Sequence, residues 1–114
     1  MARATIELKP RIMVGDVRAM GPGKADLLDF IAQTGSITKA AKKMAMSYRR
    51  AWLLVDSMNQ VFKKPLVEAA PGGAGGGGAQ VTEYGRDVLR LYREMQAALD
   101  RESARYLADF QKRF

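Results

Sequence analysis

The sequence predicts an α+β fold: a winged helix-turn-helix with an N-terminal strand hairpin and a long C-terminal dimerisation helix. Three observations predict it. The hydrophobic period is two before Gly21 and changes to helical spacing from Pro22 onward. Two short apolar runs then flank a glycine-rich loop. The last thirty or so residues carry one apolar stripe on a helix too long for a small domain to cover. A length of 114 residues fits one domain with an extension. Its expected parts are a winged body over 1–82, with the helix-turn-helix at about 36–64 and the wing at about 66–82, and a terminal helix over 83–114.

Ile6, Leu8, Ile12 and Val14 alternate with Glu7, Lys9, Arg11 and Met13, which reads as a half-buried strand. Pro10 lacks an N–H and favours an edge or a break. Gly15-Asp16 then turns the chain into a short return strand at Val17. Ala25, Leu27, Leu28, Ile31 and Ala32 form the first helix, which Gly35 ends in a left-handed cap. Gly21-Pro22-Gly23-Lys24 lacks the hydroxyl and first glycine of a phosphate loop, and reads as the lead into that helix.

Ser36 is the expected N-cap of a short second helix with Ile37, Ala40, Ala41 and Met44 inward. Ser47 caps a third, with Ala51, Leu54, Val55, Met58 and Phe62 inward, ending near Lys64-Pro65. Leu66–Ala70 and Ala79–Thr82 are the wing strands around six glycines in residues 72–78. Val88, Tyr92, Met95, Leu99, Tyr106 and Phe110 step along the last helix by 4, 3, 4, 7 and 4. A stripe of that length needs a partner, and a two-fold homodimer is expected. Phe30, Phe62, Tyr84 and Leu89 are expected in the core, with Met44, Met46 and Met58 as fillers. Trp52 is expected to be partly buried. Asp26 and Asp29 are expected on a solvated face, and Arg86, Arg90 and Arg93 are expected to pair with Asp87 and Glu94.

There are no cysteines and no histidines, which excludes disulfides, Cys/His zinc sites, thiol nucleophiles and histidine catalysis. No nucleophile–base pair is visible either, so an enzyme is not expected. The net charge is +7, and its placement is uneven. Residues 1–65 hold 12 Lys/Arg against 5 Asp/Glu, whereas residues 66–114 hold 7 of each. A basic body favours a polyanionic partner, with double-stranded DNA first. No apolar run is long enough to span a membrane, so a cytoplasmic protein without a membrane partner is expected.

The basic excess falls on the second and third helices, the part of such folds that meets DNA. Ser36, Thr38, Lys39, Lys42, Lys43, Ser47, Tyr48, Arg49 and Arg50 are the candidate DNA-binding residues. Arginine near the start of a recognition helix can read guanine through O6 and N7, whereas lysines there hold phosphates. Gly73, Gly75, Gly76 and Gly77 are the candidate wing tip, since glycine allows close approach to phosphates or a minor groove.

The motifs Gly35-Ser36-Ile37-Thr38-Lys39-Ala40-Ala41, Met46-Ser47-Tyr48-Arg49-Arg50-Ala51-Trp52, Leu66-Val67-Glu68, the glycine loop, Val81-Thr82 and Tyr84-Gly85 closely resemble the N-terminal domain of ModE-type molybdenum-responsive transcription regulators. The resemblance covers about residues 4–100. It implies a winged-helix protein, distantly similar to LysR-type regulators, whose dimer binds a palindromic operator. In that family a separate C-terminal part binds molybdate. These residues leave room for DNA binding and dimerisation but not for that sensor, so no cofactor, metal or small-molecule effector is expected within them. Ala45 stands at a turn where relatives usually have glycine. The rival expectation is a protein–protein interaction module that uses the long helix, its basic face being incidental.

Overall fold

The computed structural model describes residues 2–71 and 78–114. The elements run β1 (Ile12–Val14), β2 (Val17–Met20), α1 (Pro22–Thr34), α2 (Ile37–Lys43), α3 (Tyr48–Val61), β3 (Val67–Ala70), β4 (Gly78–Val81) and α4 (Glu83–Gln111). The two sheets are separate antiparallel pairs, β1 with β2 and β3 with β4.

Local signals set the helix boundaries. Pro22 opens α1, where its missing N–H costs nothing. Gly35 closes it in the left-handed region at φ 68°, ψ 22°. The Ser36 hydroxyl accepts from the Lys39 N–H at 3.1 Å, and the Ser47 hydroxyl accepts from the Arg50 N–H at 3.1 Å. Each cap satisfies one of the donors that a helix start leaves unpaired. Between them, the Ala45 N–H donates to Lys42 and the Met46 N–H to Ala41, closing α2 in a Schellman turn. That turn puts its C′ residue at positive φ, and Ala45 stands there at 53°.

The core gathers one face of every helix. Met20, Leu27, Leu28, Ile31, Met58 and Leu66 are fully buried, each removal from water being worth about 2 kcal/mol. Ala25, Ala40 and Ala51, equally buried, let α1, α2 and α3 approach closely. Leu89 joins this core, while Phe30, Phe62, Tyr84, Met44 and Met46 pack against it half-buried. Asn59 ties α3 to the wing: its side-chain oxygen accepts from the Leu66 and Val67 N–H groups, and its amide donates to the Val67 carbonyl. The Ala79 N–H donates to the Gly35 carbonyl at 3.0 Å and holds β4 against the end of α1.

Several expectations need correction. The N-terminal strand pairs only over Ile12–Val14, with a bulge between Ile12 and Met13, and all three residues are exposed. Pro10 cannot donate to a ladder, and β2 is only four residues long, so among the described residues no strand pairs with Ile6 or Leu8. The preceding arm instead follows α4: the Tyr92 hydroxyl donates to the Pro10 carbonyl at 2.7 Å, and the Ala4 N–H donates to Gln111 Oε1 at 2.7 Å. Helix α3 stops at Val61, and α4 stops at Gln111. Arg93 does not pair with Glu94. It reaches across to Asp26 at 2.8 Å and to Asp29 on α1, so these aspartates are not merely solvated. Arg90 takes Asp87 and Glu94. Arg86 donates to the Val81 carbonyl at 3.0 Å.

The terminal stripe also divides. Tyr92 was expected at an intersubunit surface, but it is 2% exposed in the core of its own chain. Val88 and Met95 are half-buried against the same core. Helical spacing alone cannot distinguish a residue facing its own core from one facing a partner. Leu99, Tyr106 and Phe110 remain exposed.

Candidate nucleic-acid interface

The turn at Met44–Met46 brings the basic residues of α2 next to the start of α3. Thr38, Lys39, Lys42, Lys43, Ser47, Tyr48, Arg49 and Arg50 are all exposed, and Ser36 is half-buried. The inward face of α3 is Ala51, Val55 and Met58. Helical geometry therefore directs Arg49 and Leu53 outward and sets Trp52 on the flank, while Tyr48, on the side of Ala51 and Val55 but in the first turn, is still 52% exposed. The hydroxyls of Ser36 and Ser47 accept as caps and can still donate their own hydrogen to a phosphate. The N–H groups of Tyr48 and Arg49 lie in the first turn of α3, where no intrahelical acceptor is available. They too can meet an anion.

Electrostatics distinguishes this face from the terminal helix. Every ion pair among the described residues involves an arginine of α4: Arg90, Arg93 or Arg105. None involves Lys39, Lys42, Lys43, Arg49 or Arg50. Lys43 instead lies 5.9 Å from the centre of the Phe30 ring, which steadies its stem without cancelling its charge. The protein thus neutralises its terminal helix and leaves the helix-turn-helix positive. At Arg93 burial disfavours the charge, but the hydrogen bonds and charges of Asp26 and Asp29 outweigh it and raise the guanidinium pKa.

On the surface of α3 the sequence reading missed Leu53 and set Trp52 deeper than it lies. Trp52, expected to be partly covered, is 46% exposed, and Leu53 is 48% exposed. Tyr48 and Trp52 are four residues apart and share one helix face. The signal was present, since the inward set at 51, 55 and 58 leaves 52 and 53 outside. Average tryptophan burial was the weaker guide. An indole and a leucyl group on such a helix can meet thymine methyls.

The wing strands pair Val67 with Val81, Glu68 with Gln80, Ala69 with Ala79 and Ala70 with Gly78. Gly73, Gly75, Gly76 and Gly77 lie outside the described residues. Of the stripe expected at a dimer interface, Leu99, Tyr106 and Phe110 lie on the exposed part of α4. Phe110 stacks on Phe114 with ring centroids 6.4 Å apart. Leu91, absent from that stripe, is 67% exposed. No helix among the described residues is long and apolar enough to cross a membrane.

A positively charged helix-turn-helix followed by a two-stranded wing and a long helix defines a winged-helix regulator. The model for bacterial regulatory helix-turn-helix proteins of the lysR family matches residues 25–86, and the chain belongs to that family. It is 44% identical over 91 residues to the molybdenum transport protein ModE of Azotobacter vinelandii, covering 76% of this chain and 34% of that protein. It is 41% identical over 88 residues to the DNA-binding transcriptional dual regulator ModE of Escherichia coli K12, covering 77% of this chain and 33% of that one. It is 42% identical over 80 residues to the molybdenum-pterin-binding protein MopA of Rhodobacter capsulatus, covering 70% and 30%. The likeness to ModE-type regulators carried by the motifs is therefore shown over this region. The chain spans about a third of the length of these relatives. Among solved structures, ArgP of Mycobacterium tuberculosis shares the fold at TM-score 0.53 and 20% identity, covering 76% of this chain and 30% of that one. The family is one of regulators and not of enzymes.

Proposed function

We propose that this chain is the DNA-binding part of a transcription regulator and acts as a dimer on an inverted-repeat operator. The unpaired positive face of α2 and α3 carries that proposal. Arg49 and Arg50, with Tyr48, Trp52 and Leu53, are assigned to base edges. Lys39, Lys42, Lys43, Ser36, Thr38 and Ser47 are assigned to phosphates. This division follows from geometry: a recognition helix reads with its N-terminal residues, and flanking cations hold the backbone.

Leu99, Tyr106 and Phe110 are assigned to the partner copy. Two copies would place two α3 helices on one duplex, as two-fold symmetry requires for a palindrome. The likeness to ModE and MopA supports a role in molybdenum-linked regulation. No cofactor or effector is assigned to these residues.

Titration of the protein with random-sequence duplex DNA at several salt concentrations tests the proposal. Binding should weaken linearly on a log–log plot, with slope about −0.9 per phosphate neutralised. Indifference to duplex DNA at low salt would favour an interaction module built on α4.

A further inference from the structure

Five cationic side chains surround one cavity that the helix-turn-helix does not account for. It measures about 320 Å³ and lies between the N-terminal arm, β2, the start of α1 and α3. Lys9 and Arg11 come from the arm, Arg18 from β2, Lys24 from α1 and Arg50 from α3. Apolar Met46 and Leu54 complete its wall on the α3 side. Among the described residues no carboxylate lines it. None of the five cations forms an ion pair among the described residues.

The cluster is held in place. Lys24 is 7% exposed, and its ammonium donates to the Arg18 carbonyl and, at 3.2 Å, to the Ser57 hydroxyl. Two of its three N–H bonds are thereby engaged, and its charge is fixed beneath the cavity. Burial, and then the charge of Arg18, lower the Lys24 pKa. The stems of Arg11 and Arg18 pass over Gly21, where an added Cβ would lie 3.7 and 3.8 Å from them. Like charges gathered without a counter-charge repel one another, and an anion in the cavity relieves that repulsion.

We infer that this cavity is a second phosphate-binding site and holds the phosphodiester backbone of the DNA beside the segment read by α3. The inference rests on the proposed DNA-binding function. Continuity favours a DNA phosphate over a free oxyanion. Arg50 and Leu54 line both this cavity and the adjoining depression formed with Ser47, Arg49 and Leu53 at the start of α3. Lys9, Arg11, Arg18 and Arg50 are exposed, so a small ion there would stay screened by water, whereas a backbone already anchored at α3 arrives with high effective concentration. Arg50 accordingly bridges the base-reading face and the backbone-holding face.

The test compares the wild-type protein with Arg11→Gln/Arg18→Gln and Arg11→Lys/Arg18→Lys on random and selected duplexes over a salt series. The glutamine pair should lower the magnitude of the salt slope by about two and weaken all duplexes alike, roughly ten-fold or more at physiological salt. The preference for the selected sequence should persist. The lysine pair should restore the slope, which a purely structural role of the arginines would not predict. A wild-type slope retained by the glutamine pair, with DNA binding intact, overturns this inference alone. A wild type that binds no duplex overturns the proposed function and this inference together. Micromolar binding of inorganic phosphate or sulfate to the DNA-free protein, lost in the glutamine pair, would reassign the cavity to a free oxyanion.

Discussion

Gly85 sits so close to Leu66 that a Cβ placed on it would lie 2.2 Å from the Leu66 carbonyl oxygen. That oxygen is backbone and already accepts from the Thr82 N–H at 2.9 Å, so it has no room to move. The Thr82 hydroxyl in turn donates to the Pro65 carbonyl and accepts from the Gly85 N–H, capping α4 where it leaves the wing. Gly85 therefore sets how closely α4 approaches the base of the wing at Leu66 and Val81. Gly85→Ala should cost about 3 kcal/mol or more, as overpacking against rigid neighbours does. Urea unfolding measures it, and a loss below about 1 kcal/mol would show that the junction yields.

Ala45 offers the opposite change. An L-residue in the left-handed region costs about 1–2 kcal/mol, and Ala45 is exposed with nothing to compensate. Allowing for the greater unfolded-chain freedom of glycine, Ala45→Gly should stabilise by about 1 kcal/mol and raise Tm by roughly 4 °C. Calorimetry that shows no gain would mean that the turn is relaxed in solution.

Tyr92 links the terminal helix to the N-terminal arm. Its phenol is buried, which raises its pKa above 10.0; Arg93 opposes that shift and Asp26 reinforces it. A folded-state pKa above the unfolded value means stability that is complete below about pH 10 and lost as pH rises through the folded value. Tyr92→Phe should cost about 1 kcal/mol at pH 7, because the half-buried Pro10 carbonyl loses its donor. The same variant should lose less stability than wild type between pH 9 and pH 11. Parallel stability curves for the two proteins over that range would contradict this account of Tyr92.

What the sequence showed and what it hid divide by distance along the chain. Gly35, Ser36, Ser47 and the inward positions of α1 and α3 act within one or two helical turns, so their spacing revealed them. Arg93 meets Asp26 and Asp29 across 67 and 64 residues, and Tyr92 meets Pro10 across 82. Those contacts depend on how α4 docks, which no local period encodes. The basic face of α2 and α3 was legible because it is contiguous. The cavity around Lys24 was not, because its five cations come from four separated segments. Its lead-in motif, Gly21-Pro22-Gly23-Lys24, is only a fragment of a phosphate loop and reads as the lead into α1.

Leu99 tests the dimer. It stands 40% exposed on the far half of α4, beyond the core of its own chain, with Tyr106 and Phe110 further along. Leu99→Asp should produce monomers in sedimentation at micromolar concentration and abolish tight operator binding, since each monomer holds one half-site. A wild type that sediments as a monomer would leave the exposed half of α4 without its proposed partner.

The side chains of α2 and α3 should separate by task. Arg49→Ala should cost about 1–3 kcal/mol on the preferred sequence and relax the preference at one base pair. Lys42→Ala should weaken every duplex alike and lower the salt slope by about one. Fluorescence titrations on matched and mismatched duplexes distinguish these outcomes. Equal, sequence-independent losses from both variants would show that α3 is not the reader.

Selection of bound sequences from a random duplex pool tests the central claim most directly. A two-fold dimer reading DNA through α3 should enrich an inverted repeat, with half-site centres about one helical turn, or a whole number of turns, apart. A pool retained without any enriched sequence, or enrichment of a single unrepeated site, would contradict it.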